Sequence, residues 1–219
     1  MKHRVAILIS GRGSNMVALL EAARDPAFPA EIVLVLANRP DAPGLRLAAA
    51  AGVRAECVDH RPFKGDRAAH EAAIDAKLRG FGTAFVCLAG YMRLLTPFLV
   101  HAWRGAMLNI HPSLLPAFPG LHTHARALAA GVKLHGCTVH LVTDGMDEGP
   151  ILAQAAVPVL AGDTEDALAA RVLVREHALY PAALAGFLDG GAVRAPSADA
   201  ALTNPLPWRA GIHKTNMNQ

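Results

Sequence analysis

The chain has 219 residues, 53% hydrophobic and 18% charged, which suits a globular protein with a sizeable core. No run approaches the roughly 18–20 apolar residues of a membrane span. The net charge is only +3, and the basic residues are scattered rather than clustered, which argues against nucleic acid and allows small anionic substrates.

In chain order, "RVAILIS" (Arg4–Ser10) is a continuous apolar run. It leads straight into a glycine loop with no A-x-A-like cleavage site, so it reads as a buried strand and not a signal peptide. "NMVALLEAAR" follows at helical spacing. Glu31–Ala37 is a second buried strand, and Pro43–Gly52 is a short helix closed by glycine. "RAECV" is a weaker third strand, and Asp66–Gly82 is a helix with a glycine stop. Ala84–Gly90 is another buried strand, and Ala106–Ser113 is a further one that ends in polar residues. Apolar strands alternating with helices predict an α/β fold: a Rossmann-like, open, mostly parallel sheet with helices on both faces.

The rhythm then changes. Gly136–Thr143 and Ile151–Val159 alternate around the turn "DGMDEGP" and predict an antiparallel pair near the C-terminal end. Thr164–Gly191 carries the longest helix signal, with Thr164 as N-cap and Glu165 and Asp166 in the first turn. From about Ala195 the chain is rich in Pro, Asn and Thr. The expected organisation is one domain over 1–194 and a loosely ordered tail over 195–219.

Three clusters carry chemistry. In "LISGRGSNM", Gly11 and Gly13 begin a dinucleotide fingerprint, but Met16 stands at the third glycine position. The second strand ends "LANRP", with no acidic residue for a ribose hydroxyl, and no G-K-[ST] exists. Gly13, Ser14 and Asn15 are left at a helix N-terminus, where free N–H groups and the positive end of the helix favour one terminal phosphate. The alternative is an ordinary strand-to-helix turn.

In "LNIHPSLLPAFPGLHTH", Asn109 and His111 are two apart at a strand end and point to the same side. An amide donor and an imidazole there could stabilise an oxyanion and move a proton, and the proline-rich loop after them would wrap the site. A lone N-x-H more often caps a strand end. In "TDGMDEGPI", a carboxylate set against His111 would raise its proton affinity and favour the charged imidazole. A solvated turn is the usual reading of such a string. Metal ligation is not expected: the eleven histidines match no zinc spacing, and Cys57, Cys87 and Cys137 form no CxxC pair. The odd, dispersed cysteines fit a reducing cytoplasm.

Taken together, "LISGRGSN", "LAGYMRLL", "LNIHPSLLPAFPGLHTH", "TDGMDEGP" and "REHALYP" appear in the order found in the phosphoribosylglycinamide formyltransferases, the folate-dependent formyl transferases of purine synthesis. The chain resembles that family over about Val5 to Gly190. The N-x-H-x-S-L-L-P part is shared with a wider group of folate formyltransferases and hydrolases.

The resemblance implies 10-formyltetrahydrofolate as co-substrate, a ribonucleotide acceptor and no metal. It implies that Gly13, Ser14, Asn15 and Glu176 bind phosphoribosylglycinamide. Arg67, Met92, Arg93, Leu94, Leu95, Asn109, Thr143 and Asp144 would flank the folate, and Asn109, His111 and Asp147 would be catalytic. It also implies a cytoplasmic monomer or homodimer acting on small molecules, without nucleic acid or membrane. Met146, Glu148 and Ala117 depart from the family's usual residues. The expected mechanism is direct attack of the glycinamide amine on the formyl carbon, with Asn109 and a protonated His111 holding the tetrahedral oxyanion. Competing readings are a formyltetrahydrofolate hydrolase and a non-catalytic sugar-phosphate-binding module.

Overall fold

The structure, a computed structural model, describes residues 1–190 and Thr203–Asn204. Apart from those last two residues, the expected tail lies outside the described residues. The chain forms two compact units: Met1–Asn109 with Val142–Asp144, and Ile110–Leu141 with the chain from Gly145 onward.

The first unit contains strands β1 (His3–Ile9), β2 (Ala30–Ala37), β3 (Ala55–Cys57) and β4 (Phe85–Leu88) and most of β5 (Met107–His111). Their order is β3-β2-β1-β4-β5, and every pairing is parallel. β1, β2 and β4 are almost wholly buried, as apolar runs in a parallel sheet should be. Ala6, Leu8, Leu34, Leu36, Val86 and Met107 from the strands pack with Ile74, Leu78, Leu99 and Trp103 from the helices. Those helices are α1 (Ser14–Ala23), α2 (Pro43–Ala50), α3 (Arg67–Gly80) and α4 (Pro97–Ala102), with a 3-10 turn at Arg61–Phe63. Asp66 caps α3 by accepting from the Ala69 N–H at 2.9 Å.

α2 braces the β1–α1 loop. Gly44 N–H donates to Gly11 O at 3.1 Å. A Cβ at Gly44 would lie 2.5 Å from Ile9 Cδ1 and 3.0 Å from the carbonyl oxygens of Gly11 and Arg12, so glycine permits this close approach.

The second unit contains α5 (Thr123–Ala129), β6 (Leu134–Leu141), β7 (Ile151–Pro158), α6 (Glu165–Leu188) and the two-residue β8 (Thr203–Asn204). β6 and β7 are antiparallel, as expected, and β8 pairs antiparallel with β7. The β6–β7 register runs from Leu134↔Pro158 to Val139↔Ala153 and then shifts, so that His140 faces Ile151 and Leu152 is the extra residue of a bulge. α6 buries Leu168, Val172, Leu179, Tyr180 and Leu184. Thr164 caps it as read from the sequence, accepting from Ala167 N–H at 3.2 Å.

The α/β class and the C-terminal antiparallel pair agree with the sequence reading. α4 and α5 are additions: the sequence reading has no separate helix at either place. They have six and seven residues, too few for apolar periodicity to register. α5 is also entered through His122 in the left-handed region, at φ 56°.

Candidate active site

The loop between β1 and α1 leads into the helix N-terminus that the sequence reading singles out. Gly13 is the N-cap of α1, left-handed at φ 67° and ψ 44°, and α1 starts at Ser14 without a side-chain cap. The first-turn N–H groups and the positive end of the helix dipole therefore lie at the loop. The loop borders a cleft of about 410 Å³ that is also lined by Asn38, His60, Met92 and Arg93. Ser10 Oγ accepts from Met92 N–H at 2.8 Å and Ser10 N–H donates to Gly90 O at 3.1 Å, which ties the end of β1 to the segment after β4.

Met92 and Arg93 thus share a cleft with Gly13, Ser14 and Asn15. The other residues expected at the folate do not line that cleft. Leu94 is 59% exposed, and Leu95 packs partly against the first unit's core. Arg67 opens α3 and is exposed. Thr143 is exposed, and Asp144 pairs at the surface with His101 Nε2 at 2.9 Å and Arg104 at 3.6 Å. Asn38 and His60 escaped the sequence reading. His60 Nδ1–H donates to Asn38 O at 2.8 Å, which joins the ends of β2 and β3 at the cleft.

Asn109 and His111 alternate onto one side of β5, Asn109 half-buried and His111 buried. The loop after β5 wraps His111, as expected. Phe118 O accepts from His111 Nε2–H at 3.0 Å. Arg126 of α5 holds that loop, donating to the carbonyls of Pro119 and Leu121, and lies over the Phe118 ring.

Asp147 does face the imidazole, with Oδ2 3.4 Å from His111 Nδ1. The same oxygen accepts from Gly120 N–H at 2.9 Å. Oδ1 lies 3.6 Å from Nε2 of His140, a buried β6 residue that the sequence reading did not single out for this site. Asp147 is left-handed at φ 58°, a conformation that Asp tolerates better than most residues.

Asp147 raises the proton affinity of His111, as the sequence reading expects, and burial opposes it. Burial lowers the His111 proton affinity more than the Phe118 carbonyl and Asp147 raise it, and His140 and Arg126 lower it further. The resting imidazole therefore favours its neutral form. Asp147 behaves in the opposite sense. Burial alone would raise its carboxyl, but His140 and the Gly120 N–H together hold it below the ordinary carboxylate range.

Glu176 is buried on α6, at 7% exposure. The Cys137 thiol is pushed up, first by burial and then by the charge of Glu176, so it is no nucleophile. His124 and His135 form a buried pair, Nδ1 to Nε2 at 3.1 Å, beside the Phe118 ring. Among the described residues no group of three or more His, Cys, Asp or Glu could hold a metal ion.

β5 thus carries Asn109 and His111 at its end, with Asp147 set against the imidazole. Residues 3–184 match the formyl transferase family model, and the chain belongs to the formyl transferase family. It is 43% identical over 186 residues to the phosphoribosylglycinamide formyltransferase of Escherichia coli (strain K12), an alignment that covers 85% of this chain and 87% of that one. It is 48% identical over 193 residues to the trifunctional purine biosynthetic protein adenosine-3 of Bos taurus. That match covers 88% of this chain but only 19% of the longer protein.

Among solved structures, phosphoribosylglycinamide formyltransferase from Brucella melitensis is 58% identical with a TM-score of 0.83, covering 87% of this chain and 97% of that one. Glycinamide ribonucleotide transformylase 1 from Symbiobacterium toebii is 47% identical with a TM-score of 0.84, covering 89% and 92%.

Proposed function

We propose that the chain transfers the formyl group of 10-formyltetrahydrofolate to the amine of 5′-phosphoribosylglycinamide, a step of de novo purine synthesis. The observation that carries this reading is the half-buried carboxylate of Asp147 set 3.4 Å from the imidazole of His111, two residues beyond Asn109 on one strand. A bare sugar-phosphate-binding module would need none of these three groups.

The amine must be neutral to attack, and it sheds a proton as the new C–N bond forms. Asn109 donates to the oxyanion that develops on the former formyl oxygen. His111, neutral at rest, accepts the amine's proton. In that step the substrate takes the place of the Phe118 carbonyl at Nε2, and the tautomer with Nδ1–H on Asp147 leaves Nε2 free to act as a base. Asp147 stabilises the imidazolium so formed. His111 then returns the proton to N10 as the C–N10 bond breaks, so one proton passes from the amine to the leaving nitrogen and no covalent enzyme intermediate forms.

Gly13, Ser14 and Asn15 hold the 5′-phosphate through the open N-terminus of α1, and Glu176 serves the ribose or glycinamide end. Met92 and Arg93 flank the folate with Leu94 and Leu95. Arg67, Thr143 and Asp144 complete the folate contacts, Thr143 and Asp144 in the loop that leads to Asp147. The protein acts in the cytoplasm on small molecules, as a monomer or homodimer, without nucleic acid or membrane. Among the described residues no helix is long and apolar enough to cross a membrane.

The test is consumption of 10-formyltetrahydrofolate by the purified protein, with and without phosphoribosylglycinamide. Consumption that requires the ribonucleotide and yields formylated product establishes the transferase. Equal consumption without it makes the chain a hydrolase. No consumption by folded protein refutes both.

A further inference from the structure

Glu71 is a buried carboxylate that the reaction scheme does not use. It stands on α3 at 3% exposure. Thr96 N–H donates to Glu71 Oε1 at 2.8 Å, and the Thr96 hydroxyl donates to Oε2. Both carboxylate oxygens are thus engaged by one residue of another element. Thr96 is the N-cap residue of α4, extended at φ −86° and ψ 162°, yet its side chain makes no cap bond to that helix. Its hydroxyl is turned to α3 instead. A carboxylate is costly to bury unless its oxygens are hydrogen-bonded, so the two bonds fix where Thr96 sits against α3.

Thr96 closes a segment, 91–96, that belongs to no helix or strand. Near its other end the segment is tied to β1, where Ser10 Oγ accepts from Met92 N–H at 2.8 Å. Between the two ties burial alternates. Tyr91, Arg93 and Leu95 are half-buried, with Tyr91 and Leu95 against the first unit's core. Met92 and Leu94 are turned outward, 69% and 59% exposed. Arg67 lies four residues before Glu71, one turn away on the same side of α3. The Glu71–Thr96 tie therefore joins the two elements that carry expected folate contacts, α3 at Arg67 and the strip from Met92 to Leu95.

We propose that Glu71 is a positioning residue for the folate. Through Thr96 it holds the Met92–Leu95 strip in a fixed place relative to the start of α3, so that the strip is ordered before the folate arrives. Without the tie, binding has to order the strip, and the cost falls on affinity and not on the chemical step. Glu71 itself touches neither substrate in this role. The proposal rests on the formyl-transfer reading given above, which sets the folate against this strip.

Steady-state kinetics of Glu71→Ala, Glu71→Gln and Thr96→Val test it, together with amide hydrogen exchange of the free proteins. Alanine removes both acceptors. The KM for 10-formyltetrahydrofolate should rise by on the order of tenfold, the size of one hydrogen bond to a charged group. The kcat and the KM for phosphoribosylglycinamide should stay nearly unchanged, and exchange should quicken over 92–96 more than over α3 or β4. Glutamine keeps an acceptor for the Thr96 N–H and can donate to the hydroxyl, so it should restore the wild-type KM. Thr96→Val loses only the hydroxyl bond and should give a smaller rise in the same KM; it decides the matter if the alanine variant does not fold. A folded variant that loses kcat at unchanged folate KM would reduce Glu71 to a stabilising role and overturn the proposal. A glutamine variant as impaired as alanine, or quickened exchange with no change in KM, would overturn it as well. Wild-type protein that consumes no 10-formyltetrahydrofolate would instead sink the formyl-transfer reading, and the exchange data would still report whether Glu71 orders the strip.

Discussion

The carbonyl oxygen of Phe118 lies 3.0 Å from Nε2 of His111, and Phe118 is left-handed at φ 54° to place it there. A non-glycine residue in that region costs on the order of 1 kcal/mol. The loop spends that strain to give the imidazole a fixed orientation. Substrate has to displace a single carbonyl, and the ring is already aimed.

Replacing His111 with Ala should therefore remove catalysis without removing recognition of the phosphate. Loss of a general acid–base group lowers turnover by roughly 10²–10⁴-fold. Binding of a phosphate-bearing substrate analogue, measured by calorimetry, should stay within about threefold of wild type, because the α1 cradle is built from other residues. Undiminished turnover would remove His111 from the reaction.

The pH dependence follows from the direction of the His111 shift. Burial favours the neutral base, so activity is lost on the acid side, as His111 takes up a proton. Asp147 raises the proton affinity of His111. In Asp147→Asn that contribution is gone, so the acid limb of kcat/KM should move to lower pH while kcat falls. Rate profiles across pH 5–9 check the shift; an acid limb that stays in place would contradict it.

Gly13 is left-handed at φ 67°, and a Cβ there would meet Met16 Cβ at 3.3 Å and Ile9 Cγ2 at 3.4 Å. Gly13→Ala should cost on the order of 1–3 kcal/mol from strain and displace the cradle. The expected kinetic signature is a raised KM for the ribonucleotide with kcat nearly unchanged. An equal fall in kcat at saturation would place the loop in the chemical step.

Stability should fall in acid. His70, His111, His124, His135 and His177 are all lowered, burial being the first cause in each, and His135 is pushed down to about 4. The unfolded chain binds these protons near the ordinary histidine value of about 6.5. Between that value and the folded one, the unfolded state holds more protons, so stability decreases as pH decreases. For His135 the window runs from about 6.5 down to about 4. Thermal melts across that range should show a falling Tm, and His135→Gln should flatten the fall. A flat wild-type curve would contradict the burial argument.

Much of this protein was determined by the sequence itself. Continuous Val/Ile/Leu runs specify buried parallel strands, because only a sheet covered on both faces removes every side chain from water. Helical periodicity marked α1, α2, α3 and α6, and the two-residue spacing of Asn109 and His111 put both on one side of β5 wherever that strand lay. Gly13 before Ser14 supplies the left-handed backbone from which α1 starts.

Tertiary structure decided the rest, for reasons of distance and burial. α4 and α5 are too short for a pattern and exist by packing and capping. Asn38 and His60 reach the cleft beside the β1–α1 loop only because parallel pairing brings the ends of β1, β2 and β3 together. His140 reaches Asp147 through a bulge that no local pattern announces. A carboxylate beside His111 is visible in a string of residues, whereas the desolvation that opposes it belongs to the folded chain.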